Sequence, residues 1–481
     1  MPPTSSDDRA QVKLITLGCP KNAVDSEAMM GALQDQGYSL TDDEDAADVL
    51  VVNTCAFIDR AKEESVDTIL ATAALKEADP SKRLVVTGCL AQRYASELAV
   101  EMPEVDAFIG TSEFLTIGDV VSQVSKPRPQ AAPPIVNVSH PAYQYTDPLS
   151  RVRTTPWHYA YMKIGEGCDH RCTFCAIPSF RGDFVSRSME SLEQEAGMLA
   201  ASGVKELVLI SQDTTYYGRD MYGEGKLPEL LRRLAQVNGI EWIRMLYLYP
   251  TMVDDALLDV VAQEEKVCAY LDVPLQHIDD GVLRRMGRAS SEASVRALVT
   301  RMRDRVPDVA LRTSFIVGFP GETDAAFASL LDFVVESEFD HCGVFAYSPE
   351  DGTPSADWDG QIPDDVKQER FMELVATQTE VGRELRAEYV GRTVEVLVDG
   401  RRPEAGVVEA RMRTQAPEID DVVAEMKGRA TACVAALDAA LSDRSCLLGD
   451  TMSAADLSIC YVMRGYRRMV SESLPANVQA Y

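Results

Sequence analysis

Gly165-Glu-Gly-Cys168-Asp-His-Arg-Cys172-Thr-Phe-Cys175 lies directly behind the β-rich run Tyr159–Ile164. The C-x3-C-x2-C spacing lets one short loop fold three thiolates around a single face of an iron–sulfur cube, binding three of its four irons. The fourth iron then lacks a protein ligand, and an open metal position is what substrate coordination requires. His170 lies inside the motif, so spacing alone leaves a structural zinc site as an alternative.

Outward from this loop, apolar strand-like runs alternate with helical patterns as far as about Asp351. The strand candidates are Tyr159–Ile164, Glu206–Ile210, Trp242–Tyr247, Tyr270–Val273, Leu311–Val317 and Val344–Tyr347, with helical patterns that include Leu192–Ala201, Leu227–Val237 and Glu292–Arg303. Six βα units are too few for the closed eight-stranded barrel, so a partial, splayed (β/α)6 barrel is expected, active at the carboxyl ends of its strands. Upstream, Val12–Leu17, Val49–Asn53 and Leu84–Thr87 alternate with helical Asp25–Gln36 and Ala61–Leu75, which argues for an open parallel α/β sheet. Each of these three runs is followed at once by a cysteine: Cys19, Cys55 and Cys89. Ligands in open α/β sheets bind beyond the carboxyl ends of the strands, so the three could converge on one point. Taken singly, each would read as a small buried core residue.

The 481 residues imply several domains, and 46% hydrophobic content suffices for packed cores. No apolar run approaches the ~20 residues of a membrane span, and the start Met-Pro-Pro-Thr-Ser-Ser-Asp-Asp lacks the basic and apolar regions of a secretory signal, so a cytoplasmic location without membrane contact is the expectation. The net charge of −29 does not present the basic footprint of a nucleic-acid binder; it suits a basic protein partner, or simple solubility. There are 11 cysteines, an odd number, and the clustered ones read as metal ligands or reactive thiols rather than disulfides. Cys268, Cys342, Cys433, Cys446 and Cys460 have no ligand spacing and read as structural.

The central motif resembles the cysteine triad of the radical S-adenosylmethionine (SAM) superfamily. That resemblance implies a four-iron cluster on Cys168, Cys172 and Cys175 whose open iron chelates SAM, and a 5′-deoxyadenosyl radical that abstracts hydrogen. With Cys19, Cys55 and Cys89 added, the pattern resembles the methylthiotransferase family, in which three N-terminal cysteines hold an auxiliary four-iron cluster. Two [4Fe-4S] clusters and SAM are therefore the implied cofactors. Four stretches resemble the RimO type within that family: Thr16-Leu-Gly-Cys19-Pro-Lys-Asn-Ala-Val-Asp-Ser-Glu27, Cys175-Ala-Ile-Pro-Ser-Phe-Arg-Gly182, Ile210-Ser-Gln-Asp-Thr-Thr-Tyr-Tyr-Gly218 and Arg312-Thr-Ser-Phe-Ile-Val-Gly-Phe-Pro-Gly-Glu-Thr323.

The RimO type implies methylthiolation of an aspartate β-carbon in ribosomal protein S-twelve, with an electron donor such as flavodoxin or ferredoxin and no direct nucleic-acid binding. A transfer-RNA (adenosine) methylthiotransferase is the runner-up, and an inactive iron–sulfur binding protein is the alternative of another class. Gln212, Gln276 and Arg312 suit contacts to SAM or substrate, or equally hydrogen bonds that hold loops together. The resemblance divides the chain into an N-terminal methylthiotransferase domain at 11–124, a proline-rich linker at 125–156 and a radical SAM domain at 157–388 that ends in a long helix, Lys367–Ala387. A partial TRAM domain follows at 389–423, with strands Arg392–Val398 and Ala405–Arg411 turning at Asp399-Gly400. Its remaining strands are missing, and a helical tail at 424–481 resembles part of a glutathione transferase C-terminal domain, which motivates the inactive alternative.

Overall fold

A computed structural model describes residues 10–127, 129, 132–142, 150–402 and 407–417. The N-terminal part runs β1 (Gln11–Thr16), α1 (Pro20–Asp35), β2 (Ser39–Leu40), β3 (Val49–Thr54), α2 (Asp59–Ala78), β4 (Arg83–Gly88), α3 (Cys89–Glu101), β5 (Ala107–Ile109), α4 (Ile117–Val124) and β6 (Ile135–Asn137). Its six strands form one sheet in the order β2-β1-β3-β4-β5-β6, parallel throughout. Both faces are buried, which is why β3 reads as a continuous Val-Leu-Val-Val run. Leu50 and Val52 pack with Ile69, Leu90 and Ala91 on the side of α2 and α3. Val49 and Val51 pack with Met29, Leu33, Ile117 and Val121 on the side of α1 and α4.

The second part runs β7 (Tyr159–Lys163), β8 (Gly165–Glu166), α5 (Ile177–Arg181), β9 (Val185–Ser186), α6 (Met189–Ala201), β10 (Glu206–Ile210), α7 (Arg219–Tyr222), α8 (Leu227–Ala235), β11 (Trp242–Met245), α9 (Asp255–Gln263), β12 (Val267–Asp272), α10 (Asp280–Arg285), α11 (Glu292–Arg305), β13 (Ala310–Val317), α12 (Asp324–Ser337), β14 (His341–Ala346) and α13 (Asp364–Ala387). All six expected strands are present, as one parallel sheet in the order β14-β13-β12-β11-β10-β7. β7 and β14 are its two edges, so the barrel is open, as six βα units require. Alternation along each strand separates two faces. Leu207, Leu209, Ile243, Met245, Leu271, Leu311 and Phe315 join the apolar core shared with the helices. Glu206, Arg244, Tyr270, Asp272 and Arg312 alternate with them and line the opposite, inner face, which Val208 and Ile210 share.

Two expectations need correction. The segment expected as a linker at 125–156 contains β6, which completes the N-terminal sheet by pairing with β5. The same segment supplies Arg151, which donates to both Glu27 of α1 and Glu195 of α6 and ties the two parts together. A three-residue strand among prolines is too short for its periodicity to show. Further on, β15 (Val396–Arg402) runs straight through Asp399-Gly400 with an irregularity between Val398 and Gly400, and pairs antiparallel with β16 (Val407–Met412). Asp399-Gly400 is thus a bulge and not the turn. Asp399 is drawn into the sheet by Arg411, at 3.0 and 2.9 Å, and by buried His158, at 2.7 Å. The tail expected at 424–481, its three cysteines and residues 418–423 lie outside the described residues.

Candidate functional site

Cys19, Cys55 and Cys89 follow β1, β3 and β4, and these are three adjacent strands. The order β2-β1-β3 makes the β1/β3 crevice the point where the winding direction reverses, the usual ligand position in such sheets. Cys19 sits at the N-cap of α1 and Cys89 opens α3, so both sulfurs lie at helix starts, whose partial positive charge favours a thiolate. Cys55 and Cys89 are buried and Cys19 half-buried. A Cβ placed on Gly18, whose φ is +82°, would meet Cys55 Cβ at 2.7 Å, so the first two cysteine turns are in close contact.

Asn22 binds the three turns to one another. Its Nδ2 donates to Leu17 O at 3.0 Å and Thr54 O at 2.9 Å, and its Oδ1 lies 3.7 Å from Cys89 Sγ. Burial pushes the Cys89 thiol up, against the pull of the neighbouring Arg181 guanidinium. Gly88, at φ +94°, has no room for a side chain: a Cβ would lie 2.3 Å from Asn53 Oδ1 and 2.5 Å from Thr54 O. Gly88→Ala is expected to cost about 1–3 kcal/mol of stability through this strain. An unchanged unfolding midpoint in denaturant would show instead that the end of β3 gives way.

Cys168, Cys172 and Cys175 lie on the loop between β8 and α5, and β8 pairs antiparallel with β9 to close the loop's base. Backbone bonds shape it: Cys168 N to Gly182 O at 3.0 Å, Thr173 N to Met286 O at 3.0 Å and Cys175 N to Cys172 O at 3.1 Å. All three cysteines are half-buried. Burial pushes the Cys168 thiol up to about 12, with the charges of Asp213 and Cys172 adding to it. Cys175 is raised by burial and by Cys172. Thiolate ligands must lose their protons to bind metal, so a cluster held by these three would offset the burial that raises Cys168 and Cys175. Arg288 reaches the loop with Nη1 3.7 Å from Cys172 Sγ.

His170 is not placed as a fourth ligand. Its Nε2 bonds Asp213 Oδ2 at 2.7 Å, and its ring stacks on Tyr249 at 3.5 Å between centroids. Among the described residues, no group of three or more Cys, His, Asp or Glu could hold a single metal ion. A four-iron cube holds its thiolates on separate irons, so it does not need them gathered around one ion.

The three polar candidates differ. Gln212 donates to Glu166, two residues before Cys168, and its buried Oε1 has no hydrogen-bond partner among the described residues. Gln276 has φ +74°, a strained value for a side-chain-bearing residue, and its backbone bridges to Phe315. Arg312 is on the inner face, and its Nη1 donates to Asp272 Oδ1 at 2.6 Å.

Sequence reasoning missed Asn22, Arg181, Arg288 and Tyr249. Asn22 and Arg181 occur inside quoted motif stretches, but nothing in their spacing shows that they touch Cys89.

An open sheet of six parallel strands, with a three-cysteine loop behind the first and charged residues on its inner face, defines a radical SAM protein. Residues 162–334 match the radical SAM superfamily and residues 11–110 match the uncharacterized protein family UPF0004. Similar solved folds include the radical SAM methyltransferase TsrM from Kitasatospora setae, with tryptophan substrate and a SAM analogue bound. It has a TM-score of 0.53 at 16% identity and covers 72% of this chain and 75% of its own. The cobalamin-dependent SAM radical enzyme OxsB gives 0.52 at 11% identity, over 96% and 71%. The curated ribosomal protein uS12 methylthiotransferase RimO of Geotalea uraniireducens (strain Rf4) is 45% identical over 427 residues, 89% of this chain and 94% of that protein. Its counterpart from Anaeromyxobacter sp. (strain Fw109-5) is 49% identical over 413 residues, 86% of each. The chain belongs to the RimO family of radical SAM methylthiotransferases.

Proposed function

We propose that this enzyme adds a methylthio group to the β-carbon of an aspartate in ribosomal protein uS12. One observation carries the reading: identity of 45% to a protein of that activity extends over 89% of the chain, and therefore through both the N-terminal and the barrel parts. In this reading Cys168, Cys172 and Cys175 hold one [4Fe-4S] cluster, and Cys19, Cys55 and Cys89 hold a second. When bound, the clusters and SAM would supply the sulfur unit, an electron and the carbon radical needed to break an unactivated C–H bond. Such a bond is neither acidic nor electrophilic enough for ordinary sulfur nucleophiles.

The protein's own part is to bind, orient and shield. Gln212, with a free acceptor beside Glu166, is suited to a donor on SAM. Gln276 and Arg312 are suited to SAM or the substrate carboxylate, with Asp272 keeping Arg312 charged and in place. Tyr249 roofs the cysteine loop, clamped between His170 and Arg288, whose guanidinium lies 4.2 Å from the ring centre. A flavodoxin- or ferredoxin-type protein would deliver electrons in the cytoplasm. Among the described residues no helix is long and apolar enough to cross a membrane.

The test is anaerobic reconstitution of the full chain, incubated with uS12 and transfer RNA together with SAM, sulfide and a reductant, followed by mass spectrometry of both. One methylthio group on an aspartate is expected; modification of transfer RNA in place of the protein would overturn the substrate. The net charge of −29 should steer the enzyme to a basic ribosomal protein. Binding measured between 50 and 200 mM salt is therefore expected to weaken by roughly tenfold or more as charges are screened. Flat affinity would remove charge from the explanation.

A further inference from the structure

We propose that Arg181 is a positioning residue that extends from the radical loop to the N-terminal cysteine site and raises the reduction potential of the cluster held there. The inference rests on Cys19, Cys55 and Cys89 holding a cluster. Arg181 ends α5, the helix that follows Cys175 directly, so it belongs to the radical loop. Yet α5 packs into the N-terminal part: Ala176 and Phe180 join the same apolar cluster as Cys89, Leu90 and Ala91. Arg181 itself is only 4% exposed.

Its guanidinium touches the N-terminal site at Cys89 and, on the other side, Glu166, two residues before Cys168. Nη2 donates to Cys89 Sγ at 3.2 Å and also to Asn22 Oδ1, the side chain that binds the Leu17 and Thr54 carbonyls beside the other two N-terminal cysteines. Nη1 donates to Asp25 Oδ2 at 2.7 Å and Glu166 Oε2 at 3.3 Å. Lys163 closes the network, donating to Asp25 and, at 2.5 Å, to Glu166. Two cations thus face two carboxylates, and a ligating Cys89 thiolate brings a third negative charge to the same guanidinium. Hydrogen bonds to the sulfurs and nearby net charge are what set iron–sulfur potentials. A fixed buried cation on a ligand sulfur favours the state that carries one more electron. Glu166 keeps Lys163 if Arg181 is lost, so the radical site is buffered against the change.

The experiment is a potentiometric titration, followed by electron paramagnetic resonance, of both clusters in the reconstituted full chain. Wild type is compared with Arg181→Gln, Arg181→Lys and Asp25→Asn. Arg181→Gln is expected to shift the N-terminal cluster towards its oxidised state by about tenfold, ~59 mV lower for one electron, and to leave the radical-site cluster in place. Arg181→Lys, which keeps the charge, should return at least half of that shift. Asp25→Asn, which removes a competing anion, should move the same cluster the opposite way. An unchanged midpoint in Arg181→Gln, or both clusters moving together as in a general structural loss, overturns the proposal. If Arg181→Gln does not load iron, Asp25→Asn decides: an upward shift upholds the proposal, and no shift or a downward one overturns it. A wild-type chain that binds only about four irons would overturn the N-terminal cluster itself, a result distinct from eight irons with an unmoved midpoint.

Discussion

Replacing Cys168, Cys172 and Cys175 together by alanine is expected to bring methylthio transfer below about 10⁻³ of wild type, because no side chain can substitute for the cofactor's radical chemistry. The chain should still fold. The loop takes its shape from backbone bonds at Cys168, Thr173 and Cys175 and from the β8–β9 pair at its base, none of which needs a thiol. Iron should fall from about eight to about four per chain, since the N-terminal cysteines lie on a different sheet. Iron and sulfide analysis with a thermal melt checks this. Residual turnover near wild type, or loss of all iron from a folded chain, would contradict the assignment of the two sites.

The second large effect is structural. Glu206 opens β10 with no exposure, and it accepts from Arg244 Nε at 2.7 Å and from Arg411 Nη2 at 2.7 Å. Arg244 is equally buried, lies 4.6 Å over the Tyr270 ring, and donates to Arg413 O at 2.7 Å. Removing one partner of a buried ion pair strands the other, at a cost of about 3–5 kcal/mol. Arg411 retains Asp399, so the loss concentrates on Arg244. Glu206→Ala is expected to lower the thermal midpoint by roughly 6–20 °C, at about 2–4 °C per kcal/mol for a domain of this size. Glu206→Gln, which keeps an acceptor for Arg244, should cost distinctly less. Equal losses in the two variants would show that packing and not charge holds the β15–β16 hairpin against the barrel.

Both triads were legible because their signals are local. One is a spacing within eight residues; the other is a cysteine placed at once behind each of three apolar runs. The linker and the hairpin turn were misread for related reasons. Ile135–Asn137 is a strand only because β5 leaves an edge for it. Asp399-Gly400 has turn propensity, but His158 and Arg411 are distant partners that outweigh a local preference.

The sequence by itself determined that this chain is an α/β protein with two cysteine triads at strand ends, since side-chain period and ligand spacing are properties of neighbouring residues. Only the tertiary structure decided that β1, β3 and β4 lie side by side, that His170 is spent on Asp213, and that Arg181 joins Cys89 to Glu166. Arg181 is 92 residues from Cys89 and 156 from Asp25. Contacts of that separation leave no periodic trace, because they are made by the folding of a whole sheet against a barrel and not by any segment's own preference.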